Sequence, residues 1–492
     1  MLFVLFMAMG CFDAQPIGAT VAIVGIDGGD WRVLDPLIER GLMPNFARLR
    51  RDGATAPLVI DSPRSPESWT SLATGQPPQV HGIIQRSGDV VGSTFSANAS
   101  QVLVKRLWDM AGERGKRVLV VDYWITGPAY PINGVMISRE TRDAYPPDAM
   151  ERELPNFRAE SAEDDLHRLG LDAAKSGHTR AWLQAPERFD LVVLPFTYHD
   201  QSLHMLWDEF AVTDQELVEL SQADQARINA GKAVVFEAAK MADRMLGLAM
   251  EYVGDDGYVM VVSDHGHTGA GQATRRIAIS RRHFDNGRGT VEKGTFRMGP
   301  ATVRLDSLER RVQGPVRSMN YVLRYPAITL SNDEGGAGRA RLLALTSEAG
   351  VPLFKEYGER LVASDALIAI AHTAVGKHEE GAFSVFVNSG AHSIEDLGVF
   401  GLIGPDVQPG AINSEVRSVD ATPTALWLLG LPSGEDLMGR PITAALTERG
   451  QTARPVSMVP SFEDGTRPWA TPRNGDLSVE EVERLKALGY LE

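Results

Sequence analysis

The chain has a single cysteine, Cys11, among 492 residues. No internal disulfide can form, and a cysteine-based zinc site is excluded. Also missing is any apolar run of the roughly 20 residues that a helix needs to cross a bilayer. Basic side chains are in the minority: 49 Lys and Arg stand against 64 Asp and Glu, a formal net charge of -15. Such a surface repels nucleic acids and acidic membranes, so a nucleic acid polymer is not an expected partner. No Walker A motif occurs, and Gly25–Gly29 is not a dinucleotide fingerprint, because Asp27 occupies its second glycine position. The remaining balance, 43% hydrophobic and 23% charged, is that of a folded globular protein. The length suits one large α/β domain with insertions.

The first ten residues, Met1 to Gly10, are nearly all apolar and lead into Cys11 through Ala8-Met9-Gly10. A run this short is the size of a signal-peptide core. The small residue before a lone cysteine is similar to a bacterial lipoprotein cleavage site, although no Lys or Arg precedes the run. The expectation is a chain of the cell envelope, periplasmic or anchored to a membrane only through a lipid on Cys11.

Beyond this segment, short β-branched runs alternate with helical patterns. Val21–Ile26 reads as a strand followed by helical spacing over Trp31–Arg51, and Val118–Val121 follows an amphipathic stretch at Val102–Glu113. Leu191–Phe196 and Tyr258–Val262 are further buried-strand candidates, the second preceded by a long helical pattern from Asp214 to Tyr252. Alternation of this kind predicts an α/β fold, with a mainly parallel sheet and helices on both faces. Charges and scattered Gly over 281–376 mark a less regular inserted cap. Strand patterning returns at Phe383–Val387 and Val399–Ile403, and a helix is expected from Pro423. The resulting division is 1–19 as a signal-like segment, 20–280 and 377–450 as the core, 281–376 as the cap, and 451–492 as a linker with a C-terminal helix. Ser478 and Glu481 form a capping box for that last helix.

Three aspartates stand just after apolar strands: Asp27 after VAIVGI, Asp200 after LVVLPFTYH, and Asp264 after YVMVVS. Ligands of open α/β sheets bind outside the carboxyl ends of the strands. A single aspartate there is usually a turn former or cap, but three together concentrate negative charge that a cation relieves. His204 lies four residues after Asp200, on the same helix face, and His265 directly follows Asp264. Carboxylates mixed with imidazoles suit zinc, and less often manganese or iron. Pro66 is well placed as the first residue of a helix, which makes Ser65 its N-cap, a position where free N–H groups and the helix dipole favour anions.

Read together, these segments resemble the type I phosphodiesterase/nucleotide pyrophosphatase family of the alkaline phosphatase superfamily. The matching pieces are VGIDGGD at 24–30, GLMPNFARLRRDG at 41–53, SPESWTSLATGQPPQVHGI at 65–83 and WITGPAYPINGVMIS at 124–138. They continue through YHDQSLH at 198–204, VVSDHG at 261–266 and GAHSIEDLGVFGLIGP at 390–405 to VDATPTALWLLGLPSGEDLMGRPI at 419–442. The resemblance implies an alkaline-phosphatase-like core, a small-molecule phosphate ester as substrate, and two divalent ions, zinc or alternatively manganese. It implies that Asp27, Ser65, Asp264 and His265 hold one ion, and that Asp200, His204 and His392 hold the other, with Ser65 as nucleophile. Two features depart from the family. Ser68 stands where an Asn is usual, and Pro66 after the nucleophile has no N–H to offer. Phosphate stabilisation is then expected to lean on the ions and on Ser68 as a substrate-binding residue.

Related chemistries of the superfamily are a phosphomutase, a phosphonate hydrolase and a sulfatase. For the last, Ser62-Pro63-Arg64 and Ser65-Pro66-Glu67 place proline one residue too early. A catalytically inert, metal-binding surface lipoprotein is the alternative outside enzymes. The other histidines read simply: His81 belongs to a structural turn, and His167, His178, His283, His372 and His378 to solvated surface. His199 and His267 flank ligands, and a supporting role is the minority reading for them.

Overall fold

The computed structural model describes residues 19–84, 98–141, 143–151, 182–184, 186–280, 294–316 and 319–469. Cys11, His167, His178, His283 and the helix expected after Ser478 lie outside these residues. The first sheet contains β1 (Val21–Ile26), β2 (Ala54–Val59), β3 (Val118–Tyr123), β4 (Gly134–Ser138), β5 (Ala144–Tyr145), β6 (Leu191–Phe196) and β7 (Tyr258–Val262). The second contains β8 (Thr268–Ile279), β9 (Thr295–Met298), β10 (Ala301–Val312), β11 (Tyr321–Ser331), β12 (Phe354–Tyr357), β13 (Arg360–Ala363), β14 (His378–Glu380) and β15 (Phe383–Ala391). The chain then rejoins the first sheet through β16 (Gly398–Ile403), β17 (Gly410–Ala411) and β18 (Val416–Arg417).

In the first sheet the order is β17-β2-β16-β7-β1-β6-β3-β4-β5, with β18 beside β2. Strands β7, β1, β6, β3 and β4 are mutually parallel, while β16 runs against both β7 and β2. The arrangement is α/β with a mainly parallel sheet. All residues of β1, β7 and β16 are buried, as expected of strands covered on both faces. One apolar layer, around Trp69, Trp108 and Trp427, covers one face. Another, built on Leu34, Phe46, Leu203 and Leu246, covers the other.

Several helical patterns are broken where local chemistry offers a cap. Trp31–Arg51 splits into α1 (Trp31–Glu39) and α2 (Pro44–Asp52), and Asp214–Tyr252 into Asp214–Val218 and Gln222–Val253. At the second break, Ser221 accepts a hydrogen bond from the Asp224 N–H and restarts the helix. Helix Leu107–Glu113 is shorter than the amphipathic stretch from Val102, because Arg106 N–H is held by the Asp109 carboxylate at 2.9 Å. The last core helix starts at Ala421, two residues ahead of Pro423.

The second sheet has the order β12-β13-β11-β8-β15-β14, with β10 pairing both β11 and β9. Strands β10 and β11 are long and antiparallel where the sequence suggested irregular structure. Their outward residues are charged, as in Arg324 Nε to Glu309 Oε1 at 2.8 Å, so a half-exposed sheet reads as a charge-rich loop. Its inner face forms a separate core around Leu323, Ile328, Phe354 and Leu367. His378 is half-buried, with Nε2 3.4 Å from Glu380 Oε2. His372 hydrogen-bonds the Tyr321 hydroxyl. Neither is a freely solvated histidine.

Helix α2 has no cap from its own N-cap residue, Met43. Asp243, buried on helix Gln222–Val253, supplies it: its carboxylate accepts the N–H groups of Asn45 and Phe46, each at 2.9 Å. Asp243→Ala strands two amide donors and is expected to lower unfolding stability by about 2 kcal/mol or more. A denaturant midpoint unchanged from the wild type would show that α2 does not depend on this cap.

Candidate metal centre

Parallel pairing sets the first half of the site. Strand β1 lies between β6 and β7, with Ile26 opposite Phe196 and Gly25 opposite Val262. The chain segments that leave these three strands therefore emerge at one carboxyl edge. Asp27 extends β1 by one more bond, its N–H to the Phe196 carbonyl at 2.9 Å. Gly28 then turns the chain with φ +68°, and a Cβ there would lie 2.9 Å from Asp200 Oδ1. Glycine thus provides both the turn and room for a second carboxylate. Gly28 N–H donates to Asp264 Oδ1 at 3.2 Å.

Asp200 occupies the first turn of helix Tyr198–Ala211, and His204 follows one turn later. His204 Nδ1 faces the Gly390 carbonyl at 3.0 Å, which leaves Nε2 pointing to Asp200 Oδ1 at 3.4 Å. His265 is held likewise, with Nδ1 2.8 Å from the Gly266 carbonyl. Its Nε2 lies 3.2 Å from Asp264 Oδ2, 3.6 Å from Asp27 Oδ1 and 3.2 Å from Ser65 Oγ. In both rings one nitrogen donates to backbone, fixing the tautomer that presents a lone pair at the other.

Second-sheet pairing brings the remaining histidines. Strand β8 starts one residue after His267 and β15 ends one residue before His392, and Thr268 pairs with Ala391. His392 stacks on His265 with ring centres 3.7 Å apart and planes at 18°. His267 Nδ1 lies 3.3 Å from Asp200 Oδ1. Candidate donors therefore converge in three overlapping groups: Asp27, Asp264 and His265; Asp200, His204 and His267; and Asp200, His265 and His392.

Burial and crowding of like charge dominate the electrostatics. Burial, then Asp264 and Asp200, pushes the Asp27 carboxyl well above its ordinary range. Burial, then Asp200, lifts Asp264 to about 7. Burial also acts to raise Asp200, but His204, His267 and His265 outweigh it and hold that carboxyl below the usual range. Burial, then His265, lowers His392 to about 3, so its imidazole is neutral and able to act as a ligand. Asp27 Oδ1, Asp200 Oδ1 and Asp264 Oδ2 are buried without a hydrogen-bond partner among the described residues. Tetrahedral ligands about 2.0–2.1 Å from zinc lie about 3.3 Å from each other. The 3.2–3.6 Å separations around His265 and Asp200 have that spacing, so the residues fit divalent cations.

Two assignments around Ser65 change. The helix α3 (Ser65–Thr74) begins at Ser65 itself with Arg64 as N-cap, and the Arg64 carbonyl accepts the Ser68 N–H at 2.9 Å. Ser68 is fully buried and donates its hydroxyl to the Asp264 carbonyl at 2.6 Å. Its hydrogen holds the Asp264 loop in place and is not presented to a substrate oxygen. His81 is also fully buried, 3.1 Å from Ser71 Oγ, in keeping with a structural turn. The member that pattern reading gave only a minority supporting role is His267, which the structure groups with Asp200 and His204. Its signal was its place in the run Asp264-His265-Gly266-His267, but a histidine two residues past a ligand has no diagnostic spacing.

Comparison with curated proteins gives no match. Among solved structures, the murine ectonucleotide pyrophosphatase/phosphodiesterase 5 is similar at 14% identity and TM-score 0.41, covering 87% of this chain and 100% of that one. An inactive variant of it in complex with AMP has 14% identity and TM-score 0.40, covering 84% and 95%. The human counterpart has 14% identity and TM-score 0.38, again covering 84% and 95%. The family profile described as type I phosphodiesterase / nucleotide pyrophosphatase matches residues 21–322, more than half of the chain. The chain belongs to that family and is a phosphoric ester hydrolase.

Proposed function

We propose that the chain hydrolyses phosphodiesters of small molecules at a site for two divalent ions, preferably zinc, through a phosphorylated Ser65. The observation that carries this reading is the position of the Ser65 hydroxyl. Its Oγ lies 3.2 Å from His265 Nε2, the same nitrogen that lies 3.2 Å from Asp264 Oδ2. The hydroxyl is thus within the ring of donors, half-buried at the start of α3.

Asp27, Ser65, Asp264 and His265 would hold one ion, and Asp200, His204 and His392 the other. When bound, the ions supply positive charge to the entering and leaving oxygens of the phosphoryl group. Ser65 Oγ bonds to phosphorus as the bond to the leaving alcohol breaks, and the serine proton ends on that alcohol. Water then cleaves the Ser65–phosphorus bond, restoring the hydroxyl and releasing the phosphomonoester. Pro66 offers no N–H, and the Ser68 hydroxyl is committed to the Asp264 carbonyl. Charge on the transferring group would therefore be met by the ions that the donor ring holds.

Ser65→Ala is expected to retain both ions and to lose turnover of bis-p-nitrophenyl phosphate by on the order of 10³-fold or more. Wild-type rates in that variant would remove Ser65 as nucleophile. Asp264→Ala is expected to lose one ion and turnover together, as measured by metal analysis alongside the assay. Without metal, Asp264 at about 7 and the raised Asp27 keep protons in mild acid. A cation must displace those protons, whereas in alkali they have already dissociated. Calorimetric zinc titration in buffers of different ionisation enthalpy should therefore report more protons released at about pH 6 than at about pH 8.5. Equal release at both would show that these carboxyls do not accept the ions.

A further inference from the structure

We infer that Ser389 is a positioning residue for the ion that Asp200, His204 and His392 would hold, because its hydroxyl fastens a kink in helix Tyr198–Ala211 to strand β15. The inference rests on the two-ion reading above. It names what fixes the distance between the two elements that carry that ion's ligands.

Helix Tyr198–Ala211 carries Asp200 and His204 ahead of a break at Leu206, which leaves helical geometry at φ -129° and ψ 18°. Kinks of this kind arise where another group enters the i→i−4 hydrogen-bond ladder. The group here is Ser389, whose buried Oγ accepts the Asp208 N–H at 3.2 Å. Strand β15 is irregular at the same level. Asn388 pairs with Thr274 of β8 and Gly390 with Gly269, so Ser389 alone stands opposite residues 270–273. Such irregularities re-aim the side chains beside them, and the Ser389 hydroxyl faces the helix.

Strand and helix are thereby joined on both sides of the kink. Ahead of it, the Gly390 carbonyl faces His204 Nδ1 at 3.0 Å. A Cβ at Gly390 would lie 2.3 Å from the Leu203 carbonyl oxygen, so the two backbones touch with no side chain between them. Beyond the kink, Ser389 holds Asp208. His392 follows on the same chain segment and shares a donor group with Asp200. With the Gly390 contact alone, the end of β15 could pivot against the helix and carry His392 away from Asp200. The second contact, one helical turn further on, removes that freedom. Ligands held near their final spacing before an ion arrives bind it more tightly.

The test compares Ser389→Ala, which removes the acceptor, with Ser389→Thr, which keeps it. A cavity of about 370 Å³ lined by Asp208 and Ser389 has room for the added methyl group. Zinc affinity of each site is measured by chelator competition, with bis-p-nitrophenyl phosphate turnover followed in parallel. The Ala variant is expected to bind one of the two ions about 3–10-fold more weakly, the scale of one neutral hydrogen bond. The other ion should be little changed, and the Thr variant should recover most of the loss. An Ala variant with both affinities at wild-type level overturns the inference. An equal loss at both sites, the mark of a general loosening, overturns it too, as does a Thr variant no better than Ala. A wild-type chain that binds fewer than two ions removes the two-ion reading and this inference together. A wild type binding two ions, with any of the adverse variant results, removes the inference alone.

Discussion

Three carboxylates that repel one another stand at the centre of the molecule. Asp27, Asp200 and Asp264 are buried at the carboxyl edge of adjacent parallel strands. Donor atoms of Asp27 and Asp264 lie within 4.8 Å of each other. Two unit charges at that distance cost about 3 kcal/mol at an effective dielectric constant near 20. Parallel pairing forces the proximity, because extending β1, β6 and β7 by a few residues at one end leaves their side chains nowhere else to go. A fold stable with this cluster must either protonate it or place cations within it. The raised Asp27 and Asp264 carboxyls are the first solution, and the neutral His392 imidazole equips the site for the second.

The second sheet completes the arrangement through register. β8 leaves directly after His267, and β15 returns directly before His392. Pairing Gly390 with Gly269 and Ala391 with Thr268 brings together histidines far apart in sequence. The Gly390 carbonyl then orients His204, and the same glycine leaves room for His267 Nε2. A one-residue slip between β8 and β15 would send alternate side chains to the opposite face. The inserted sheet is thus part of the site's framework as well as a separate core.

What the sequence discloses follows the range of the interactions. Buried strands are apolar runs, so the positions of Asp27, Asp200 and Asp264 at strand ends are visible by inspection. The Asp200–His204 spacing is a helix property and equally local. His392 has no local signature, because its place depends on pairing between β8 and β15; only family resemblance points to it. His267 is visible as a neighbour of His265, but nothing in its spacing marks it as part of the donor group. The charge-rich stretch containing β10 and β11 hides a regular sheet because its outward face is solvated, and period-two alternation is blurred by cross-strand ion pairs. Helix breaks at Gly41 and Ser221 fall inside continuous apolar periodicity, which carries no information about where a cap will interrupt it.

The start of α3 shows how a departure from a family pattern is absorbed. A helix N-terminus ordinarily offers free N–H groups to an anion. Here Pro66 removes one donor, the Ser68 N–H is used by the Arg64 carbonyl, and the Ser68 hydroxyl is used by the Asp264 carbonyl. Helix α3 is therefore better suited to fixing Ser65 and the Asp264 loop than to neutralising a phosphoryl group. That charge is left to cations, which the ring of ligands around Asp27, Asp200 and Asp264 would hold. A chain with net charge -15 has little long-range attraction for a phosphate ester. Attraction and stabilisation of substrate then reside in the same few ångströms.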